Sequence, residues 1–143
     1  MYKKILIPLE NTAADEAVLS HVRMLAKLTG ASLVLLHVAD GWAARNYERL
    51  QLVESEEMRE DRAYLERRCE ELCALGFECE HKLGLGEPNQ QIIETAEALK
   101  CDLIAMSAHG HKLLGDIFLG NTIEKVRHNT LIPLLIVRET LAT

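Results

Sequence analysis

Between residues 107 and 122 the chain gathers groups suited to an anion. Ser107-Ala108-His109-Gly110 is followed by nine residues and then by Gly120-Asn121-Thr122. The segment comes straight after Leu103-Ile104-Ala105-Met106, an apolar run that reads as a buried strand. A small-residue loop that leaves a strand and enters a helix can turn backbone N–H groups toward a phosphate. Glycines at 110 and 120 would let the backbone approach a ligand with no Cβ in the way. The second ligand-like strand end is Pro8-Leu9-Glu10-Asn11-Thr12.

Other chemistries read more weakly. His109 and His111 flank Gly110 and could meet phosphate or metal, but no third ligand is evident, so surface positions are expected. Glu10 could be a base or a metal ligand; a solvated loop residue or a ribose contact is the simpler expectation. Asp116 could hold Mg²⁺ beside phosphate oxygens or cap a helix. Gly84-x-Gly86 begins like a dinucleotide fingerprint without its third glycine, and no Gly-Lys-Ser/Thr occurs, which excludes a P-loop. The four cysteines (Cys69, Cys73, Cys79 and Cys101) form no Cys-x-x-Cys and match no zinc spacing. Cys69 and Cys73 share a helix face, either as a thiol pair, with His81 nearby, or as small buried hydrophobes. No activated nucleophile or base is evident, so turnover beyond slow ATP hydrolysis is not expected.

These residues need elements to position them. Lys3–Leu9 reads as strand one, with Thr12 capping a helix that Gly30 stops. Ser32–Val38 reads as strand two, and Ala39–Asn46 as a connector containing Trp42. Tyr47–Leu75 reads as a long charged helix that Gly76 ends. Phe77–Leu83 alternates and reads as a third strand near an edge. Gly84–Glu87 is a turn, and Pro88 opens a helix with Ile92, Ile93, Ala96 and Leu99 on its apolar stripe. Asp102–Ser107, Thr122–Asn129 and Ile132–Val137 complete the pattern as strand, helix and strand. Strict alternation of this kind calls for a mostly parallel α/β sheet with helices on both faces. Its ligands bind outside the carboxyl ends of the strands.

A length of 143 residues fits a single domain over 1–143, with 48% hydrophobic and 27% charged residues. The formal charge of −6 and the lack of a Lys/Arg cluster argue against nucleic acid and anionic membranes as partners. No apolar run approaches the ~20 residues that span a bilayer. The chain enters a strand pattern directly, so a cytoplasmic protein is expected.

Taken in order, the segments resemble the universal stress protein family over almost the whole length. Ile5-Leu6-Ile7-Pro8, Leu36-His37-Val38, Gly86-Glu87-Pro88 and Asp102-Leu103-Ile104-Ala105-Met106 carry the resemblance. So do Gly120-Asn121-Thr122-Ile123-Glu124-Lys125-Val126-Arg127-His128 and the closing Ile132-Pro133-Leu134-Leu135-Ile136-Val137. The resemblance implies a Rossmann-like, adenine-nucleotide-binding fold, a five-stranded parallel sheet of order 3-2-1-4-5. It also implies a homodimer, here through strand 132–137. Nucleotide-binding members carry Gly-x-x-Gly, nine residues, then Gly and Ser or Thr. This chain has Ser107 at the first glycine, Asn121 at the hydroxyl position, and Glu10 where an Asp is usual. By resemblance, Glu10 and Val38 face ribose and adenine near Pro8. Met106, Ser107, Gly110, Gly120, Asn121 and Thr122 then line the phosphate path; His109 counts among the cofactor-binding residues, and ATP with Mg²⁺ is the expected ligand. The alternative is a dimeric interaction protein with a vestigial pocket.

Overall fold

The alternation closes into one parallel sheet. In the computed structural model, which describes residues 1–39, 56–108 and 120–138, five strands lie in the order β3-β2-β1-β4-β5. They are β1 (Lys4–Pro8), β2 (Ser32–Ala39), β3 (Cys79–Leu85), β4 (Leu103–Ala108) and β5 (Leu134–Arg138). The described helices are α1 (Ala14–Thr29), α2 (Glu56–Ala74), α3 (Pro88–Ala98) and α4 (Gly120–Asn129). Every described strand pair is parallel.

Side chains alternate across a strand, so each strand feeds two cores. Ile5, Ile7, Leu33, Leu35, Leu103 and Ala105 pack with Val18, Leu19 and Val22 of α1 and Leu65 and Leu72 of α2. Leu6, Val34, Leu36, Ile104 and Met106 pack with Ile92 and Ala96 of α3 and Val126 of α4. Burial on both faces is why β1, β2 and β4 read as continuous apolar runs. β5 lies at the sheet edge and is only half-buried, with Ile136 39% exposed. No described helix is long and apolar enough to cross a membrane.

Helix ends follow local chemistry. Gly30 adopts φ 76° and donates to the Ala26 carbonyl, a left-handed cap that glycine takes without strain. Thr12 is not the N-cap of α1: that position is Ala13, whose side chain caps nothing, while the Thr12 hydroxyl accepts the Ala14 N–H at 3.3 Å. α4 opens at Gly120 rather than Thr122. β3 starts at Cys79 and runs through Gly84 and Leu85, because its ladder with β2 continues to Ala39↔Leu85. β5 begins at Leu134, since the Ile132 N–H is taken by the Thr130 hydroxyl. The connector with Trp42 and the 47–55 part of the charged helix lie outside the described residues.

Candidate functional site

The gap that matters opens between β1 and β4. β1 pairs with β2 as far as Pro8↔Leu36. Its pairing with β4 ends at Leu6↔Ile104, although β4 itself continues alongside β5 to Ala108↔Arg138. Proline explains the difference. The Leu9 N–H donates to Leu36 of β2, while the Lys4 carbonyl accepts from Asp102 on the β4 side. Odd residues of β1 therefore turn their backbone toward β2 and even residues toward β4. Pro8 faces β4 and has no N–H to extend that ladder.

The loop that leaves β1 is fixed by side chains from two helices. Asp15, in the first turn of α1, accepts the Glu10 N–H on Oδ1 at 2.9 Å and the Asn11 N–H on Oδ2 at 2.8 Å. Asn11 sits at φ 61°, a left-handed conformation that asparagine tolerates. Tyr64 of α2 donates its hydroxyl to Asp15 Oδ2 at 2.6 Å. Burial, and then this hydrogen bond to a carboxylate, push the Tyr64 phenol far above its usual range. On β2, His37 Nδ1 lies 2.8 Å from the Leu9 carbonyl, and its Nε2 lies 3.2 Å from Asp61 of α2. Asp61 also accepts the Asn11 side-chain amide at 3.2 Å. Glu10 is thereby held, only 6% exposed, at the mouth of the gap.

Several expected residues meet there. Pro8 ends β1 and Glu10 lies two residues beyond it, while Val38 lies near the end of β2 and Met106 and Ser107 near the end of β4, the strands on either side of β1. Val38 and Met106 are wholly buried in the α3/α4 core, so they form a floor rather than a rim. Ser107 is 1% exposed, and its hydroxyl has no hydrogen-bond partner among the described residues. The C-terminal end of α4 lies by Cys101 and Asp102 at the amino end of β4. The opposite end of α4, with Gly120, Asn121 and Thr122, therefore points to the carboxyl ends of the strands. The N-terminal end of a helix favours negative charge. His109, Gly110, His111 and Asp116 lie outside the described residues.

Asp15, Asp61 and Tyr64 are site residues that sequence reasoning missed. Asp61 had a signal: Met58, Asp61, Leu65, Cys69 and Leu72 recur at helical spacing, so the carboxylate stands in the buried stripe of α2. Among the described residues no group of three His, Cys, Asp or Glu side chains is placed to hold a metal ion. A groove of about 830 Å³ lies at the other end of the sheet, between the C-terminal ends of α1 and α2. It opens at the amino ends of β2 and β3, away from the edge where parallel sheets carry ligands.

A family model described as "Universal stress protein family" matches residues 1–138. The chain belongs to the universal stress protein family. It is 28% identical to Universal stress protein MJ0577 of Methanocaldococcus jannaschii, with 96% of each chain covered. The solved structure of MJ0577 superposes with a TM-score of 0.81 at 29% identity, covering 99% of both chains. A universal stress protein from Archaeoglobus fulgidus, solved in complex with dAMP, has a TM-score of 0.70 at 19% identity, covering 95% of this chain and 96% of that one. Another, solved in complex with cAMP, has a TM-score of 0.74 at 16% identity, covering 97% and 99%. The strand order implied by the family resemblance is the order observed.

Proposed function

We propose that this universal stress protein binds an adenine nucleotide in the crevice between β1 and β4, with ATP as its main ligand, and acts as a cytoplasmic dimeric regulator rather than an enzyme. The observation that carries the reading is the Ser107 hydroxyl, buried without a partner among the described residues at the β4 end beside the gap that Pro8 opens. A buried hydroxyl left unpaired costs the empty protein free energy, and a ligand oxygen would repair that. The reading is supported by two universal stress proteins of this fold that hold dAMP and cAMP.

In this reading Pro8 and Val38 face the adenine, Glu10 accepts hydrogen bonds from ribose hydroxyls, and Met106 floors the phosphate path. Ser107, the N–H groups at Gly120, Asn121 and Thr122, and the loop with His109 and Gly110 take the phosphates. Mg²⁺ comes bound to the phosphate oxygens. The chain's own residues bind and orient the nucleotide.

The test has two arms. Acid-quenched protein is chromatographed for co-purifying adenine nucleotide, and calorimetry measures ATP, ADP and AMP binding with Mg²⁺. Saturable binding, weakened by Gly110→Val, is expected. No heat with any of the three, and no retained nucleotide, would leave the vestigial-pocket reading, in which the buried Val38 and Met106 simply fill the space.

A further inference from the structure

Three of the four cysteines converge at the amino end of β3, away from the crevice. Cys69 and Cys73 lie one turn apart on α2, and Cys79 opens β3. The thiols of Cys69 and Cys73 both point at the Cys79 carbonyl, at 3.2 and 3.8 Å, and the Cys79 thiol itself donates to the Glu80 carbonyl at 3.7 Å. Exposure differs sharply: Cys73 is exposed, Cys79 half-buried and Cys69 buried. The remaining cysteine, Cys101, is buried at the start of β4.

We propose that this cluster is a peroxide-sensitive site in which Cys73 is oxidised first and Cys79 closes a disulfide between β3 and α2. Geometry selects the pairing. Residues four apart on a helix hold their Cβ atoms about 5–6 Å apart. A disulfide needs about 3.5–4.5 Å. Cys69 and Cys73 therefore cannot join without breaking α2, whereas either can meet a thiol on the strand.

Exposure selects the order. Burial pushes the Cys79 thiol well above the usual range, with the neighbouring thiols adding to the effect, and burial raises the Cys69 thiol. Both are poor first nucleophiles. Cys73 Sγ attacks one oxygen of hydrogen peroxide, and its proton leaves with the other oxygen as water. The Cys79 sulfur then attacks the sulfenic acid at Cys73, and hydroxide departs with the Cys79 proton as a second water. Two thiols are oxidised and one peroxide is reduced. Cys69, on the same carbonyl, is placed to exchange into the bond, so Cys79 stays one partner throughout.

The test treats the intact chain with hydrogen peroxide, blocks free thiols and digests on the C-terminal side of glutamate. Cleavage after Glu70, Glu71 and Glu78 separates the three cysteines. A crosslink between the Cys79 peptide and an α2 cysteine peptide, within one chain, is expected. Cys73→Ser should slow thiol loss at least tenfold. Cys79→Ser should stop at a sulfenic acid trapped on Cys73 by dimedone, and Cys101→Ser should change nothing. The proposal is overturned by a Cys69–Cys73 crosslink, by crosslinks only between chains, by no crosslink in the wild type, or by unchanged oxidation in Cys73→Ser. The wild-type map decides even where a variant fails to fold.

Discussion

His37 and Asp61 meet across the interface of β2 and α2, Nε2 to Oδ2 at 3.2 Å, with both side chains almost wholly buried. The other face of the imidazole holds the Leu9 carbonyl, and the other carboxylate oxygen holds Asn11. The pair therefore fastens α2 to the loop that presents Glu10. Removing one partner of a buried pair strands the other. Asp61→Ala, which leaves buried hydrogen-bonding groups of His37 and Asn11 without their partner, should lower unfolding stability by about 2 kcal/mol, measured by urea denaturation. A loss within experimental error would show that water replaces the carboxylate at no cost.

Ser107 offers a test in which stability and binding move oppositely. Ser107→Ala removes a buried hydroxyl that has no partner among the described residues. The ligand-free variant should be as stable as the wild type, or up to about 1 kcal/mol more stable. Its affinity for ATP should fall roughly tenfold, as expected for a lost hydrogen bond to a charged group. Thermal melts with and without nucleotide would read both. A destabilised variant that binds ATP normally would assign the hydroxyl to the fold instead.

Asp102 sets an acid limb. Its carboxylate accepts the Lys3 N–H on both oxygens, at 3.1 and 2.8 Å, and the Lys4 N–H at 3.1 Å. Burial opposes the charge, but these backbone donors outweigh it and hold the group below its ordinary 3.8. A depressed carboxylate stabilises the fold above its unfolded value, and the contribution is lost as pH falls through the folded value. Asp102→Asn should cost about 1 kcal/mol at neutral pH, and the gap from wild type should narrow on acidification. Parallel pH profiles of the two proteins would contradict this.

The proposed dimer concerns β5. Leu134, Leu135 and Val137 are half-buried and Ile136 is 39% exposed on an edge strand, the kind of surface that chains normally cover or pair. Antiparallel pairing of two copies about a twofold axis would satisfy it. Light scattering should give a dimer mass at micromolar concentration, and Ile136→Lys should shift it to monomer or to insoluble material. A monomeric wild type across that range would remove the proposal.

The order of elements was legible because short apolar runs, alternating only in the third strand, give way to helical spacing, with Gly30 and Gly76 marking helix ends. The strand-end loops were legible for the same reason. Strand order was not, since no residue of β4 names its neighbours; it came only from family resemblance. Asp15 reads in sequence as an acid complementing the N-terminus of α1. In the fold it turns back to Glu10 and Asn11 and out to Tyr64, partners that only tertiary structure supplies. Asp61 was hidden among the many charges of α2, and only its place in the Met58–Leu72 stripe betrays burial.

Pro8 also bears on how fast a ligand can be taken up. The donor missing from the β4 side of β1 is absent covalently, so the interruption in the ladder does not wait for nucleotide to create it. No main-chain hydrogen bond between those strand ends has to rupture before a molecule lodges there. On the side of these strands, association carries no unzipping barrier. Its rate should follow encounter and orientation, with affinity differences among nucleotides appearing mainly in how long each one stays.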